Sequence, residues 1–270
     1  MKRITAIIPC YNEEAGIRQV IRAFPRERLN HLGYALDILV VDNNSSDNTA
    51  RVARRAGARV LTEKRQGKGY AIRTGMSKIH RDCDYVVMLD GDDTYRAEEI
   101  IRLVEPLNSR FCDVVIGSRL GGKITDGTMS WFNLLGNWIF SHMVRYFYRV
   151  NVTDVLTGYF AWNRPVVEEL WPHLQSDGFA IEMEMITKMA RLGFEIYCVP
   201  ITYSLRSGES SLRPIHDGWR ILTMFVQNLT WKPTSKREDA EVGYVPRSRN
   251  TVRRYLSEFG ERIGAGGGKL

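Results

Sequence analysis

Two aspartates, Asp90 and Asp92, follow an apolar run of the sequence and are the side chains best suited to chemistry. The run at residues 85–89 is short and rich in β-branched and aromatic residues, which predicts a buried strand. Ligands of an open α/β sheet bind at the carboxyl ends of its strands. Two adjacent carboxylates repel each other unless a cation lies between them, and such oxygen ligands suit Mg²⁺ or Mn²⁺ shared with a substrate's phosphates. Taken alone, this sequence is explained about equally well as an acidic turn that caps the next helix.

The elements that must position these aspartates alternate along the first half of the chain. Short apolar runs predict strands at residues 4–8, 36–41, 59–61, 85–89 and 114–116, and amphipathic helices lie between them. This alternation is typical of βαβ units and predicts an α/β fold with a mostly parallel central sheet flanked by helices. Polar and charged residues follow the predicted strands or open the helices after them, which brings together Pro9 to Glu13, Asp42, Lys68, Asp90, Asp92 and Arg119.

The second half of the chain is less regular and contains an aromatic-rich segment at residues 128–148. No Asp, Glu, Lys or Arg falls between Asp126 and Arg145. The polar residues of the segment lie within a stripe of roughly 120° on a helical wheel, which predicts an amphipathic helix. Packing of this helix against the sheet is the commoner explanation, and contact with lipid is the second. Beyond it, the sequence predicts a helix that ends at Gly193, a strand at 195–203 and a helix at 215–231.

Composition sets limits on the kind of protein. The chain has 270 residues, of which 44% are hydrophobic and 26% charged, as expected for a globular protein with an ample core. Its four cysteines are far apart, which favours core thiols over a disulfide framework or zinc site. The short apolar start after Lys2 and Arg3 does not resemble a signal peptide.

The positive charge is concentrated at the end of the chain. Residues 232–270 hold nine Lys or Arg and five Asp or Glu, so they supply +4 of the formal net charge of +7. This distribution argues against a nucleic-acid groove through the fold. Apolar residues at 252–263 again form a helical stripe, so the tail suits an anionic membrane surface or a docking partner. The alternative is a solvated tail.

Acids and bases together at one edge of a parallel sheet suit a metal-bound nucleotide diphosphate. No G-x-G-x-x-G follows the first strand, and Gly67-Lys68-Gly69 lacks the frame of a P-loop. There is also no nucleophile elbow. Gly91, between the two aspartates, allows backbone or a ligand to approach closely.

Three stretches resemble the family 2 inverting glycosyltransferases with the GT-A fold, namely residues 7–14 (IIPCYNEE), 40–49 (VVDNNSSDNT) and 90–92 (DGD). Residues 117–119 (GSR) and 206–210 (RSGES) resemble arginine segments of the dolichyl- or polyprenyl-phosphate sugar synthases. Further motifs are similar to the archaeal enzymes that charge dolichyl phosphate with the first sugar of an N-linked glycan: 126–127 (DG), 156–159 (LTGY), 177–182 (DGFAIE) and 216–218 (HDG). The resemblance covers residues 1 to about 230.

The resemblance implies a role for each matching residue. The nucleotide would be bound by Pro9, Tyr11, Glu13, Asp42, Lys68, Asp90 and Gly91. Asp90 and Asp92 would hold Mg²⁺ or Mn²⁺, and Asp92, Arg119 and Arg206 would be the catalytic residues, with the arginines on pyrophosphate or acceptor phosphate. Weaker assignments to the sugar or the acceptor are Asp93, Glu182 and Ser210. The sequence departs from the family pattern at Asn43, Thr94 and Ser211.

The expected domain organisation is a GT-A domain at 1–231 and a basic amphipathic tail at 232–270. The domain divides into a nucleotide-binding half at 1–120 and an acceptor half at 121–231. The expected activity is metal-dependent transfer of a hexose or N-acetylhexosamine from a nucleotide sugar to dolichyl or polyprenyl phosphate, for protein N-glycosylation or cell-surface glycan assembly. UDP-sugars are favoured and GDP-mannose remains open. The expected location is the cytoplasmic face of a membrane, bound peripherally.

Two other classes of enzyme remain open at this stage. A soluble family 2 glycosyltransferase with a sugar or small-molecule acceptor would share the first half of the chain, but would not need the amphipathic aromatic segments. A sugar-phosphate nucleotidyltransferase also uses acids and a metal on a similar sheet. Such an enzyme typically has a glycine-rich basic loop after its first strand, whereas the loop at residues 9–14 is acidic and lacks glycine.

Overall fold

The computed structural model describes residues 1–125, 127–206 and 213–233. Residues Met1–Lys232 form one compact unit. The predicted basic tail lies outside the described residues except for its first two positions, and so does Ser210. The division into two halves and a tail stays a prediction.

Seven strands and nine α-helices are formed by the described residues. The strands are β1 (Lys2–Cys10), β2 (Tyr34–Asp42), β3 (Arg59–Thr62), β4 (Tyr85–Met88), β5 (Val114–Ile124), β6 (Phe160–Asn163) and β7 (Ile196–Tyr203). The helices are α1 (Ile17–Ala23), α2 (Arg26–His31), α3 (Thr49–Arg55), α4 (Lys68–Ser77), α5 (Ile100–Asn108), α6 (Trp131–Tyr148), α7 (Arg164–Leu170), α8 (Ile181–Leu192) and α9 (Pro214–Thr230). Short 3₁₀ turns lie at Ala97–Glu99 and Trp171–His173.

The strands form one sheet in the order β3-β2-β1-β4-β6-β5-β7. Strand β6 is antiparallel to both β4 and β5, and the other pairs are parallel. The predicted mostly parallel sheet flanked by helices is therefore confirmed. Strand β5 extends to Ile124, well beyond its apolar run, because its pairing with β7 resumes at Lys123 after an irregularity. Helices α2 and α7 were not predicted from the sequence.

The sheet is covered on both faces, which explains why its strands read as continuous apolar runs. On β1, Ile4, Ala6 and Ile8 pack into one core with residues of α1, α2, α3 and α5. Ile7 packs into the other core with residues of α4, α6, α7, α8 and α9. The carboxyl end of β1 lies near the centre of the sheet, between the ends of β2 and β4.

Helix α6 is amphipathic, as predicted, but its polar stripe faces inward. Ser130 caps the helix by accepting a hydrogen bond from the backbone N–H of Asn133. Asn137 and Ser141 are buried. The exposed side of the helix carries large apolar residues, namely Trp131, Phe132, Leu135, Trp138, Ile139, Tyr146 and Phe147. Contacts with residues 154–156, in the loop before β6, therefore explain the polar stripe, and much of the apolar surface is left in solvent.

None of the helices among the described residues has the length and apolar composition needed to cross a membrane.

Candidate active site

A cleft opens at the carboxyl ends of β1 and β4 and the start of α4. The residues that line it are Pro9, Cys10, Tyr11, Glu13, Asn43, Gln66, Gly67, Lys68, Ala71, Asp90, Gly91, Phe179 and Arg206. They come from widely separated parts of the chain because parallel strands end at one edge of the sheet. Seven residues assigned from the sequence line this one cleft: Pro9, Tyr11, Glu13, Lys68, Asp90, Gly91 and Arg206.

Gly91 sets the distance between the ends of β1 and β4. A Cβ atom at this position would lie 2.5 Å from Cys10 Sγ. The two strands are paired up to Ile7 and Met88, and the Leu89 backbone N–H still donates to the Ile7 carbonyl. The close approach predicted at Gly91 is thus made by Cys10 of the neighbouring strand, and it brings the β4 end against the β1 loop.

Lys68 is held at the start of α4 by the two glycines beside it. A Cβ atom on Gly67 would lie 2.2 Å from the Asp177 carbonyl oxygen, and one on Gly69 would lie 2.1 Å from that of Ser176. Gly67 also has a φ of 144°, which disfavours other residues. The Gly67-Lys68-Gly69 sequence therefore reflects backbone packing against the loop before α8.

The ammonium group of Lys68 bridges two carboxylates. Its Nζ lies 2.8 Å from Asp90 Oδ1 and 2.7 Å from Glu182 Oε1. Burial lowers the pKa of Lys68, but the charges of Asp90 and Glu182 outweigh it, so the pKa is raised overall. Lys68 therefore stays charged, and the structure places Glu182 next to it.

Arg206 forms a second bridge, between the β1 loop and the β4 end. Its Nη2 lies 2.8 Å from Glu13 Oε1, and its Nη1 lies 3.2 Å from Asp92 Oδ2. The other oxygen of Asp92, Oδ1, accepts hydrogen bonds from the hydroxyl and the backbone N–H of Thr94. Thr94 therefore orients the carboxylate so that Oδ2 is the oxygen that meets a cation.

Glu13 and Asp92, the two carboxylates bridged by Arg206, resist ionisation because their pKa values are raised. Burial raises the pKa of Glu13 to about 7, although the Arg206 guanidinium acts in the opposite direction, and Asp92 and Asp90 add to the increase. The pKa of Asp92 is raised by burial and then by the charge of Asp90. Both shifts indicate that the two Arg206 contacts do not fully compensate for burying these charges close together.

Asp42 and Asn43 lie at the end of β2 and have different roles. Asp42 is buried, and its Oδ1 has no hydrogen-bond partner among the described residues. The Asn43 side-chain amide donates to the carbonyls of Glu63 and Arg65 and accepts from the Gly67 backbone N–H. A carboxylate at position 43 could not donate these two bonds, which explains why asparagine suits this loop.

Arg119 is not brought into the cleft. It is buried, its Nε and Nη2 donate to the two oxygens of Asp154, and Nη2 also reaches the Leu156 carbonyl. The structure thus places it in a buried ion pair next to α6, where Asn137 also donates to Asp154. Its role on a phosphate stays a prediction without support from this geometry.

Asp93 lies beside the cleft in an unusual conformation. Its φ of 63° is in the left-handed region, where non-glycine residues are uncommon. The following 3₁₀ turn begins after Arg96 and has no side-chain cap. The idea that this acidic turn caps a helix is therefore wrong for Asp93, and its contact with a sugar stays a prediction.

Gly158, which packs against the Asp90 carboxylate, was not predicted from the sequence. A Cβ atom on Gly158 would lie 2.3 Å from Asp90 Oδ2. The Gly158 backbone N–H donates to the Tyr95 hydroxyl at 2.7 Å. A lone glycine in the LTGY sequence gave no signal for this, because the contact joins residues 68 positions apart. Gln66 and Phe179 also line the cleft without having been assigned a role.

The residues of the cleft fit a divalent cation that is shared with a substrate. Asp90 and Asp92 offer hard oxygen ligands, and their mutual repulsion is what such a cation would relieve. Among the described residues, no group of three or more His, Cys, Asp or Glu side chains is arranged to hold a metal. A cation here would therefore need further oxygens, such as those of a diphosphate.

Residues 5–171 match the family model described as glycosyl transferase family 2. The chain belongs to this family and is a glycosyltransferase. It is similar to Glycosyltransferase AglJ of Haloferax volcanii, with 36% identity over 217 residues that span 80% of this chain and 68% of the relative. It is also similar to a dolichyl-phosphate hexose transferase of the same organism, with 31% identity over 80% of this chain and 89% of the relative.

A solved structure with a similar fold is glucosyl-3-phosphoglycerate synthase from Mycobacterium tuberculosis, crystallised with Mn²⁺, UDP-glucose and phosphoglyceric acid. It superposes with a TM-score of 0.66 at 22% identity, over 84% of this chain and 80% of the other. At this level of identity the likeness establishes the fold. The chain has the predicted GT-A architecture, with a mixed seven-stranded sheet flanked by helices.

Proposed function

We propose that this enzyme transfers a hexose or N-acetylhexosamine from a nucleotide sugar to dolichyl or polyprenyl phosphate, with inversion at the anomeric carbon. A UDP-sugar is the favoured donor and GDP-mannose the alternative. The observation that carries the proposal is that one compact unit contains both the acidic and basic cleft and the exposed apolar side of α6. The similarity to a dolichyl-phosphate hexose transferase supports the choice of acceptor.

Asp90 and Asp92 are proposed to hold Mg²⁺ or Mn²⁺. When bound, the cation would stabilise the negative charge of the nucleoside diphosphate leaving group. Lys68 stays charged beside Asp90 and can add to this stabilisation. Arg206 reaches the same site from the segment after β7 and is proposed to contact the diphosphate.

The nucleotide is proposed to lie against the ends of β1 and β2. The free Oδ1 of Asp42 is a buried acceptor suited to an N–H group of a base. Pro9 and the partly exposed Tyr11 line the cleft, and so does Asn43, the residue after Asp42. A buried hydrogen-bond acceptor such as Asp42 Oδ1 suits uracil or guanine, since each of these bases carries a ring N–H.

The acceptor chemistry requires positioning more than deprotonation. A phosphate monoester has a second pKa near ~6, so it is already mostly dianionic at neutral pH. Its oxygen forms the new bond to the anomeric carbon while the bond from that carbon to the diphosphate breaks, through an oxocarbenium-like state. This agrees with a cleft that has cations and carboxylates but no histidine among its lining residues.

Helix α6 is proposed to lie on the membrane surface that supplies the lipid. Trp131 and Trp138 are 73% and 53% exposed, which is high for side chains of this size in a surface helix. The sequence from Gly127 to Thr153 has two arginines and no acidic residue, so its charge complements an anionic bilayer. The proposed location is the cytoplasmic face, with peripheral attachment.

The test is a panel of donors and acceptors with the purified full chain. Each nucleotide sugar is supplied with Mg²⁺ or Mn²⁺ and either polyprenyl phosphate in vesicles or water-soluble phosphate monoesters. We expect a chloroform-soluble sugar lipid with one UDP-sugar, and no product with Asp92→Asn or in excess EDTA. The matched control is Asp82→Asn, a 74%-exposed side chain in the loop before β4, which should retain activity.

Two outcomes would contradict the proposal. Transfer to soluble acceptors alone would favour a soluble family 2 enzyme with a small-molecule acceptor. Full activity in excess EDTA would contradict the metal assignment.

A further inference from the structure

Two cations in the cleft each bridge two carboxylates. Lys68 joins Asp90 and Glu182, and Arg206 joins Glu13 and Asp92. Four carboxylates and two cations leave a net charge of −2 when all are ionised, and the raised pKa values of Glu13 and Asp92 show that this excess of negative charge is unfavourable. A nucleoside diphosphate is also negative, so this arrangement disfavours the nucleotide until a further positive charge arrives.

Only one oxygen of Asp92 is open to a cation. Oδ1 accepts from the Thr94 hydroxyl at 2.6 Å and from the Thr94 N–H at 3.1 Å, which fills its hydrogen-bonding capacity. Oδ2 is contacted by Arg206 Nη1 at 3.2 Å. A divalent cation and Arg206 therefore compete for the same oxygen atom.

The two bridging cations differ in how firmly they are held. Lys68 is part of α4, and its neighbours Gly67 and Gly69 are packed against backbone carbonyls. The side chain of Arg206 is 30% exposed and lies after the end of β7 at Tyr203, outside helix and strand. Arg206 can therefore leave Asp92 without breaking a regular element, whereas Lys68 cannot move far.

We propose that Arg206 occupies the cation's position on Asp92 in the ligand-free enzyme and is displaced when the cation binds. The freed guanidinium then contacts the diphosphate. Arg206 thus weakens binding of the cation alone and strengthens binding of the nucleotide once the cation is present. This inference rests on the proposed function, and it makes cation binding the step that releases Arg206 for the substrate.

The experiment measures Mn²⁺ binding to the full chain by titration calorimetry, with free Mn²⁺ followed by electron paramagnetic resonance. Without nucleotide, Arg206→Gln should bind Mn²⁺ about tenfold more tightly than the wild type, the scale expected for loss of one charge-assisted contact. With saturating Mn²⁺, the same variant should bind UDP about tenfold more weakly. Circular dichroism establishes that the variant is folded.

The matched control is Arg65→Gln, which also removes a positive charge close to the cleft. Arg65 pairs with Glu63, and its backbone carbonyl accepts from Asn43, which lines the cleft. If loss of charge alone explained the effect, both variants would bind Mn²⁺ more tightly to a similar degree. The proposal requires the Arg65→Gln affinity to stay within about twofold of the wild type.

A second variant tests the same competition from the carboxylate side. Thr94→Val removes the hydroxyl that donates to Asp92 Oδ1 and keeps the shape of the buried side chain. It opens Oδ1 to the cation while Arg206 stays on Oδ2, so Mn²⁺ should bind more tightly without nucleotide. Unchanged Mn²⁺ affinity in both Arg206→Gln and Thr94→Val overturns the inference.

The failure of this inference is distinguishable from failure of the proposed function. Transfer to polyprenyl phosphate with unaltered Mn²⁺ affinity in the variants would refute the Arg206 displacement alone. The expected Mn²⁺ and UDP shifts without any sugar lipid would refute the proposed acceptor alone.

Discussion

Individual side chains of the cleft are constrained from more than one direction. Asp90 pairs with the Lys68 ammonium and packs against the backbone of Gly158, and Asp92 is contacted by Thr94 and by Arg206. Each aspartate is therefore positioned before a ligand arrives, which reduces the cost of ordering it on binding.

Gly158→Ala tests the contact that sequence reasoning missed. The new Cβ would lie 2.3 Å from Asp90 Oδ2, so the carboxylate must leave its present position beside Lys68. We expect UDP affinity in the presence of Mn²⁺ to fall by about tenfold, measured by titration calorimetry. The control is Gly218→Ala in α9, where a Cβ atom meets nothing within 4 Å. Equal affinities in the two variants would show that Asp90 tolerates the displacement.

The Glu13 carboxyl should make stability depend on pH. Its pKa in the folded chain is raised from 4.5 to about 7, so the folded state binds more protons than the unfolded state between these values. The free energy of unfolding therefore decreases as the pH rises through this window, and the folded state becomes less stable. Glu13→Gln lacks this contribution.

Urea unfolding of wild type and Glu13→Gln at about pH 5 and about pH 8 measures the effect. The variant should gain stability relative to the wild type at the higher pH. Asp92 is present in both proteins, so its own raised pKa largely cancels in the difference. Parallel stability profiles would mean that Glu13 ionises normally.

At the scale of elements, α6 is attached to the fold by polar contacts. The Asn137 amide donates to Asp154 Oδ1 and accepts from the Leu156 backbone N–H. The Ser141 hydroxyl accepts from the Val155 N–H. The segment fixed by these bonds leads directly to Gly158, so the helix and the cleft share a structural support.

Asn137→Ala should destabilise the chain by about 2–3 kcal/mol, because it leaves a buried carboxylate oxygen and a backbone N–H without this partner. The control is Asn133→Ala, one turn earlier on the same helix, where the side chain is half-buried. Urea unfolding midpoints measure both variants. A loss of stability as small as that of the control would show that Asn137 adds little to the attachment of α6.

At the scale of the whole molecule, large exposed apolar side chains are concentrated on α6, and α9 adds Ile215, Trp219 and Val226. The two helices pack against each other through Tyr148 and Phe225. A surface of this composition is unfavourable in water and typical of an interface. It is the physical basis for the proposed membrane contact.

Replacing Trp131 and Trp138 together by Glu should reduce binding to anionic vesicles by at least about tenfold, since apolar burial is lost and like charge is added. Cosedimentation at about 0.1 M salt measures the bound fraction. The control is Phe111→Glu, a 50%-exposed aromatic residue near β7. Equal binding of wild type and double variant would remove α6 from the membrane contact and leave the basic tail as the candidate.

The sequence by itself determined the fold class and most of the residues in the cleft. The alternation of apolar runs with amphipathic helices predicts a mostly parallel sheet, and residues after parallel strands must gather at one edge. This rule was sufficient to place Glu13, Lys68 and Asp90 at one edge of the sheet, where all three line the cleft. The motifs also identified the family that residues 5–171 match.

Only the tertiary structure decided which partner each charged side chain takes. Arg119 and Arg206 both follow strands predicted from the sequence and look alike there, yet one is buried against Asp154 and the other spans Glu13 and Asp92. The sequence also left open which face of α6 packs against the protein, because a helical wheel separates a polar from an apolar face without showing which of them is buried. Both outcomes depend on long-range packing, since the partners lie far away in the chain and no local pattern encodes their contact.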